Sequence, residues 1–209
     1  MGTPHRTGLV DATDRFSSAA PTPFWFRLCR VRLFLEMGAD ANARPGPSGN
    51  TVLFSAVEGG LGNVDILIQG GADPNARNDE GETVLMWAVR YGSWVAVENL
   101  LKAGADPNTF NEQGSDEMVI ASTALTEAIK YGQLRSVLAL LDGGADVNQT
   151  DTEGRTPLML AAHTLPDLVG YLIDCGADVN TRDKEGRTAK ERTEIFHEQT
   201  IRLLAQGAA

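Results

Sequence analysis

The chain is predicted to fold as an all-α solenoid, a row of stacked helix–turn–helix units. Two recurrences and one local pattern lead there. The pentapeptide Gly-Ala-Asp-x-Asn begins at Gly38, Gly71, Gly104, Gly144 and Gly176, in steps of 33, 33, 40 and 32 residues. A second signature, Gly-x-Thr before an apolar run, stands at Gly81–Thr83, Gly154–Thr156 and Gly186–Thr188. Between two pentapeptides the sequence carries two short helical patterns separated by a glycine. A unit of about 33 residues cannot bury its apolar faces alone, so neighbours must stack on it.

The first residues differ from the rest. Residues 1–23 have little periodicity, and Pro21 and Pro23 bar a regular helix, so the segment is expected to be disordered and is not a secretory signal. Phe24–Met37 reads as a helix ended by Gly38, the second helix of a partial first unit over 24–42. Its apolar surface is large for a terminal cap. It is expected to need cover from residues 1–23, a second copy of the chain, or an upstream segment. The units that follow are 43–75, 76–108, 109–148 and 149–180, with a C-terminal cap over 181–209.

The unit from Ala76 to Asn108 is the cleanest. Thr83 is a natural N-cap for the run Val84-Leu85-Met86-Trp87-Ala88-Val89, which is apolar on nearly all sides and so is expected to lie between neighbours. Gly92 ends it, Ser93 can cap a second helix over Trp94–Ala103, and Gly104 ends that. Asp106 and Asn108 favour a tight turn through side-chain-to-backbone hydrogen bonds.

These residues carry a resemblance. Asp151-Thr152-Glu153-Gly154-Arg155-Thr156-Pro157-Leu158, together with Gly144–Asn148 and Gly176–Asn180, resembles the ankyrin repeat over residues 24–209. The resemblance implies an all-α ankyrin-repeat solenoid with β-hairpin loops projecting from one edge. It also implies protein binding on the concave face, without catalysis. The Thr-Pro-Leu-His tetrad of that family is never complete here. Its histidine position is taken by Phe54, Met86, Thr126 and Met159, so apolar packing is expected to replace the histidine's hydrogen bonds. Pro166 is expected to begin the second helix of the fourth unit.

On that geometry the partner-binding residues of the second unit are Arg77, Asp79, Glu80, Glu82, Trp87, Arg90 and Tyr91. In the third they are Glu127, Lys130 and Tyr131, and in the fourth Thr152, Arg155 and His163. Arg, Tyr and Trp often dominate interface energy, because they bury large area and keep a polar handle. Thr123 follows Gly104 by 19 positions, where in the other units the interval is 12 or 13. The extra seven fall within Thr109–Ser122, in the projecting loop, where Phe110, Glu112, Asp116 and Glu117 would reach a partner.

Charge and composition exclude other classes. The 209 residues carry a net charge of −10. Residues 1–35 hold +3 and the remainder −13. An acidic solenoid repels phosphate backbones, so nucleic acid is not an expected partner, whereas a protein with a basic surface would be steered to it. No apolar run of about 18 residues is present to span a bilayer, and no membrane partner is expected. Cys29 and Cys175 stand far apart in no metal or redox spacing, which fits a reducing, cytoplasmic setting. The three histidines are dispersed, no phosphate loop is present, and no cofactor or metal is expected. The reading is a non-catalytic protein-interaction module. The alternative is an adaptor or inhibitor subunit of a larger or oligomeric assembly, and an enzyme comes third.

Overall fold

The computed structural model describes residues 31–59, 62–111, 121–193 and 205. Expectations for residues 1–30, for the inserted Glu112, Asp116 and Glu117, and for the end of the C-terminal cap lie outside these. Residues 31–36 are helical. The helices that follow come in pairs: α1 Val52–Gly59 and α2 Gly62–Gln69, α3 Val84–Arg90 and α4 Trp94–Lys102, α5 Ala124–Lys130 and α6 Leu134–Asp142. Next come α7 Pro157–Thr164, a 3₁₀ turn Pro166–Leu168, α8 Val169–Asp174 and α9 Ala189–Thr193. Among the described residues there is no strand, only an antiparallel bridge between Arg77 and Thr83. The fold is an all-α solenoid.

The first helix of each pair forms an inner row, α1 on α3 on α5 on α7 on α9, while α2, α4 and α6 form an outer row. The sequence explains which row is which. In α3 and α5, five of seven residues are buried, so these helices are covered on both sides. In α4 only Ala96, Val97 and Leu100 are buried, one stripe facing inward. Thr83, Thr123 and Thr156 each cap an inner helix, accepting from the backbone N–H of Met86, Thr126 and Met159. Gly92 and Gly104 take φ of 68° and 90°, and the equivalent Gly132 and Gly144 take 69° and 89°. Only glycine adopts that backbone without strain, so each helix stops where the sequence says.

Three local expectations need correction. Ser93 stands at the N-cap of α4 but makes no side-chain cap bond. Pro166 opens a 3₁₀ turn leading into α8, not α8 itself. Phe54, Met86 and Met159 are buried as apolar substitutes for the family's histidine, but Thr126 is not merely packed. Its hydroxyl accepts from the Thr123 N–H at 2.9 Å and donates to the Thr123 carbonyl at 3.0 Å, completing a capping box.

Candidate binding surface

The pentapeptide turns form a ladder along one edge. In each, the aspartate Oδ1 accepts from the backbone N–H of its own asparagine, as Asp73 does for Asn75 at 2.9 Å. The asparagine then reaches the next unit. Asn75 donates Nδ2 to the Gly104 carbonyl at 3.0 Å and accepts from the Asp106 N–H at 2.8 Å. Asn42, Asn108 and Asn148 make the same two bonds to the units after them. Sequence reasoning assigned these asparagines to their own turns and missed the rungs between units. The exact 33-residue recurrence of Asn42, Asn75 and Asn108 was the available signal.

The second signature closes a smaller turn. In the fourth unit Asp151 Oδ1 accepts from the N–H groups of Glu153 and Arg155, and Oδ2 takes the Arg155 guanidinium at 2.8 Å. The Asp151 N–H donates to the Arg155 carbonyl at 3.0 Å. The same closing bond joins Asn78 to Glu82, Asp183 to Arg187 and, at 3.1 Å, Asn111 to Ser122. The Ser122 N–H also donates to Asn111 Oδ1 at 2.6 Å. The seven extra residues therefore fall between Asn111 and Ser122, whose backbone pairing is the ordinary one. That narrows the insertion from Thr109–Ser122 and explains why the stack continues undisturbed beyond it.

Two expected contact residues prove to be spent on the fold. Glu82 is buried, 1% exposed. Its carboxylate accepts from Asn78 Nδ2 and pairs with the Arg90 guanidinium. Arg77 donates Nη1 to the Gly81 and Phe110 carbonyls, both at 2.9 Å, tying its own turn to the next unit. Arg44 likewise reaches the Arg77 carbonyl at 2.8 Å. Glu82 and the Arg77 head are thus corrected to structural roles. A buried carboxylate needs its counter-ion, and a guanidinium fork suits backbone carbonyls of two turns. Arg155 is held by Asp151 in the same way, its side chain 20% exposed.

The remaining residues gather on the inner row. Trp87 is half-buried between Phe54, edge-on at 5.5 Å, and Tyr91, tilted at 5.5 Å. Its Nε1 donates to Glu58 at 3.1 Å, and the Arg90 guanidinium lies 5.4 Å from the centre of its ring. Tyr91 is 52% exposed and Tyr131 54%, at the equivalent C-cap positions that follow the adjoining helices α3 and α5. The Tyr91 hydroxyl lies 3.4 Å from Glu58 Oε1. Partial burial and the Glu58 carboxylate push its phenol above the usual value, against Arg90, so it stays a donor. Burial opposes the charge on Arg90, but Glu82 and more weakly Glu127 outweigh it and hold the guanidinium above its ordinary value. Glu58 was missed from the sequence, although it follows Thr51 by seven positions, as Arg90 follows Thr83 and Lys130 follows Thr123.

Lys130 is exposed and has no carboxylate paired with it among the described residues. Crowding by the surrounding protein, with Arg155 adding to it, pulls its ammonium below the ordinary lysine value, while Asp151 and Glu127 oppose. Glu127 accepts from the Ser122 hydroxyl at 2.8 Å, and its other oxygen is buried without a partner among the described residues. Asp79 and Glu80 are exposed at the turn tip, as is Thr152 in the fourth unit. Phe110 is half-buried beside the base of the insertion, and His163 is exposed at the end of α7. The structure thus brings Trp87, Arg90, Tyr91, Glu127, Lys130 and Tyr131 together on two neighbouring helices, with Asp79 and Glu80 on the adjoining tip.

Among the described residues no group of His, Cys, Asp or Glu is placed to hold a metal ion. None of their helices is long and apolar enough to cross a membrane. A search of the curated proteins finds no match to the chain. A family model described as ankyrin repeats in three copies matches residues 27–111 and again 112–189. That covers well over half of the chain, as the ladder, the capped inner helices and the helix pairs require. The chain belongs to the ankyrin repeat family, whose repeats are generally protein–protein interaction modules.

Proposed function

We propose that this chain is a non-catalytic module that binds a protein partner along its inner helices and turn tips. The observation that carries the reading is the pair Tyr91 and Tyr131. Both are more than half exposed at equivalent C-cap sites of adjacent inner helices, with the Trp87 ring against Tyr91 and the Arg90 guanidinium over that ring. Large aromatic groups left facing solvent in register across two units suit a hot spot, where a partner buries ring area and meets the phenol oxygens. The stack holds these side chains on packed helices, so binding requires little rearrangement. Asp79 and Glu80 at the tip, within a chain of net charge −10, favour a partner with a basic surface there. Phe110 and the inserted residues between Asn111 and Ser122 add to the contacts with that partner. A reducing, cytoplasmic setting agrees with the exposed free thiol of Cys175.

The test is affinity capture from the source cell with the full chain as bait, followed by identification of proteins retained in stoichiometric amount. The wild-type chain retains such a protein, and the Tyr91→Ala/Tyr131→Ala variant loses it while keeping its helical circular dichroism. Retention of the same protein by the variant would overturn the assigned surface. A turnover assay positive on purified protein would overturn the non-catalytic reading.

A further inference from the structure

Successive units place an ionisable residue seven positions after the capping threonine: Glu58, Arg90, Lys130 and His163. Glu58 is the acid among them, and it is exposed. No cation pairs with it among the described residues. Two neutral donors of the next unit hold it instead. Trp87 Nε1 donates to Glu58 Oε1 at 3.1 Å, and the Tyr91 hydroxyl donates to the same oxygen at 3.4 Å. Oε2 accepts no bond among the described residues, so an anion is fixed in place with one oxygen left to take a donor. The Trp87 ring already carries a cation, the Arg90 guanidinium at 5.4 Å, which Glu82 neutralises. The Tyr91 ring, 52% exposed, carries none among the described residues.

We propose that Glu58 and the Tyr91 ring receive an arginine side chain of the protein partner. The inference rests on the reading that the partner binds this face. A planar guanidinium can lie on the Tyr91 ring and donate to Glu58 Oε2 at once, which the compact ammonium of a lysine does less well. The carboxylate and ring are already oriented by their bonds to each other, so little order is lost on binding. The row also sets the register. One unit further on, the same arginine would face Arg90 or Lys130 and be repelled, so it fits where the first complete unit meets the second. Glu58 is thereby a specificity-determining residue.

The test has two arms. In the first, the isotope-labelled full chain is titrated with N-acetyl-arginine amide, and the nuclear magnetic resonance signal of the Trp87 indole N–H is followed. Its loss in Trp87→Phe identifies that signal. The signal should shift saturably in the wild-type chain. In Glu58→Gln, whose carboxamide oxygen can still accept from Trp87 and Tyr91 but carries no charge, the probe should bind about tenfold more weakly or worse. N-acetyl-lysine amide should shift the signal less. No saturable shift in the wild type, equal binding by Glu58→Gln, or an equal response to the lysine probe would each overturn the proposal. In the second arm, Glu58→Gln should weaken the captured partner about tenfold. Full affinity of Glu58→Gln, with binding lost in Tyr91→Ala/Tyr131→Ala, would remove the arginine contact and leave the surface in place. Full affinity in both variants would remove the surface and the contact together.

Discussion

The second and fourth units build the same turn with the charges rearranged. In the fourth, Asp151 carries the buried charge and Arg155, four residues on, neutralises it within the turn. In the second, Asn78 does the hydrogen bonding without charge, and the buried carboxylate moves to Glu82. Its counter-ion must then come from outside the turn, and Arg90 on the inner helix supplies it. Arg90 is therefore tied to the fold, whereas Lys130, at the same place one unit later, has no such duty among the described residues. Residues that vary between repeats are not thereby free for a partner. Some vary because one structural task has two solutions.

The largest effect expected from this contrast is in stability. Arg90→Ala leaves the Glu82 carboxylate buried and unpaired. It should cost about 2 kcal/mol by urea denaturation, below the fully buried case because a third of the Arg90 side chain is exposed. Lys130→Ala should fall within about 0.5 kcal/mol of wild type. Equal losses in the two variants would remove the distinction. Next in size is the ladder. Asn75→Ala deletes both bonds to the third unit and leaves the Asp106 N–H without its side-chain partner, and should cost about 1 to 2 kcal/mol in the same assay. Loss of both bonds without change in the midpoint would show that water replaces them fully.

The last unit sharpens the comparison through pH. Burial alone would raise the Asp183 pKa, but backbone N–H donors and Arg192 outweigh it and hold the carboxyl below the usual value. Arg187, also in this turn, approaches it at 3.8 Å. A carboxylate whose folded pKa is depressed adds stability above its unfolded value and loses it as pH falls through the folded one. The thermal midpoint of the wild-type chain should therefore drop on acidification below about pH 4, and Asp183→Asn should flatten that decline. An unchanged acid limb in the variant would assign the loss to other carboxylates.

The architecture was legible because it rests on backbone demands. Gly104 needs a left-handed turn and Thr83 caps a helix, and both act within a few residues of themselves. Contacts across units were harder to read. Nothing near Arg77 in sequence says that its head meets the Phe110 carbonyl 33 residues away, and nothing near Glu82 says that it is buried. The tyrosines could be placed because exposure at the end of an inner helix follows from the helix itself. Glu58 could not, because its role depends on Trp87 and Tyr91 in the neighbouring unit.

The surface assigned here is tested most directly by the dissociation constant of the captured partner for three variants of the full chain. Tyr171, 39% exposed on α8 away from the inner row, supplies the control. Tyr91→Ala/Tyr131→Ala should weaken binding by about thirtyfold or more, the loss of a hot spot worth about 2 kcal/mol. Tyr171→Ala should leave it unchanged. Equal affinity for wild type and the double variant, with Tyr171→Ala weakened instead, would contradict the account and move the binding surface to the outer helices.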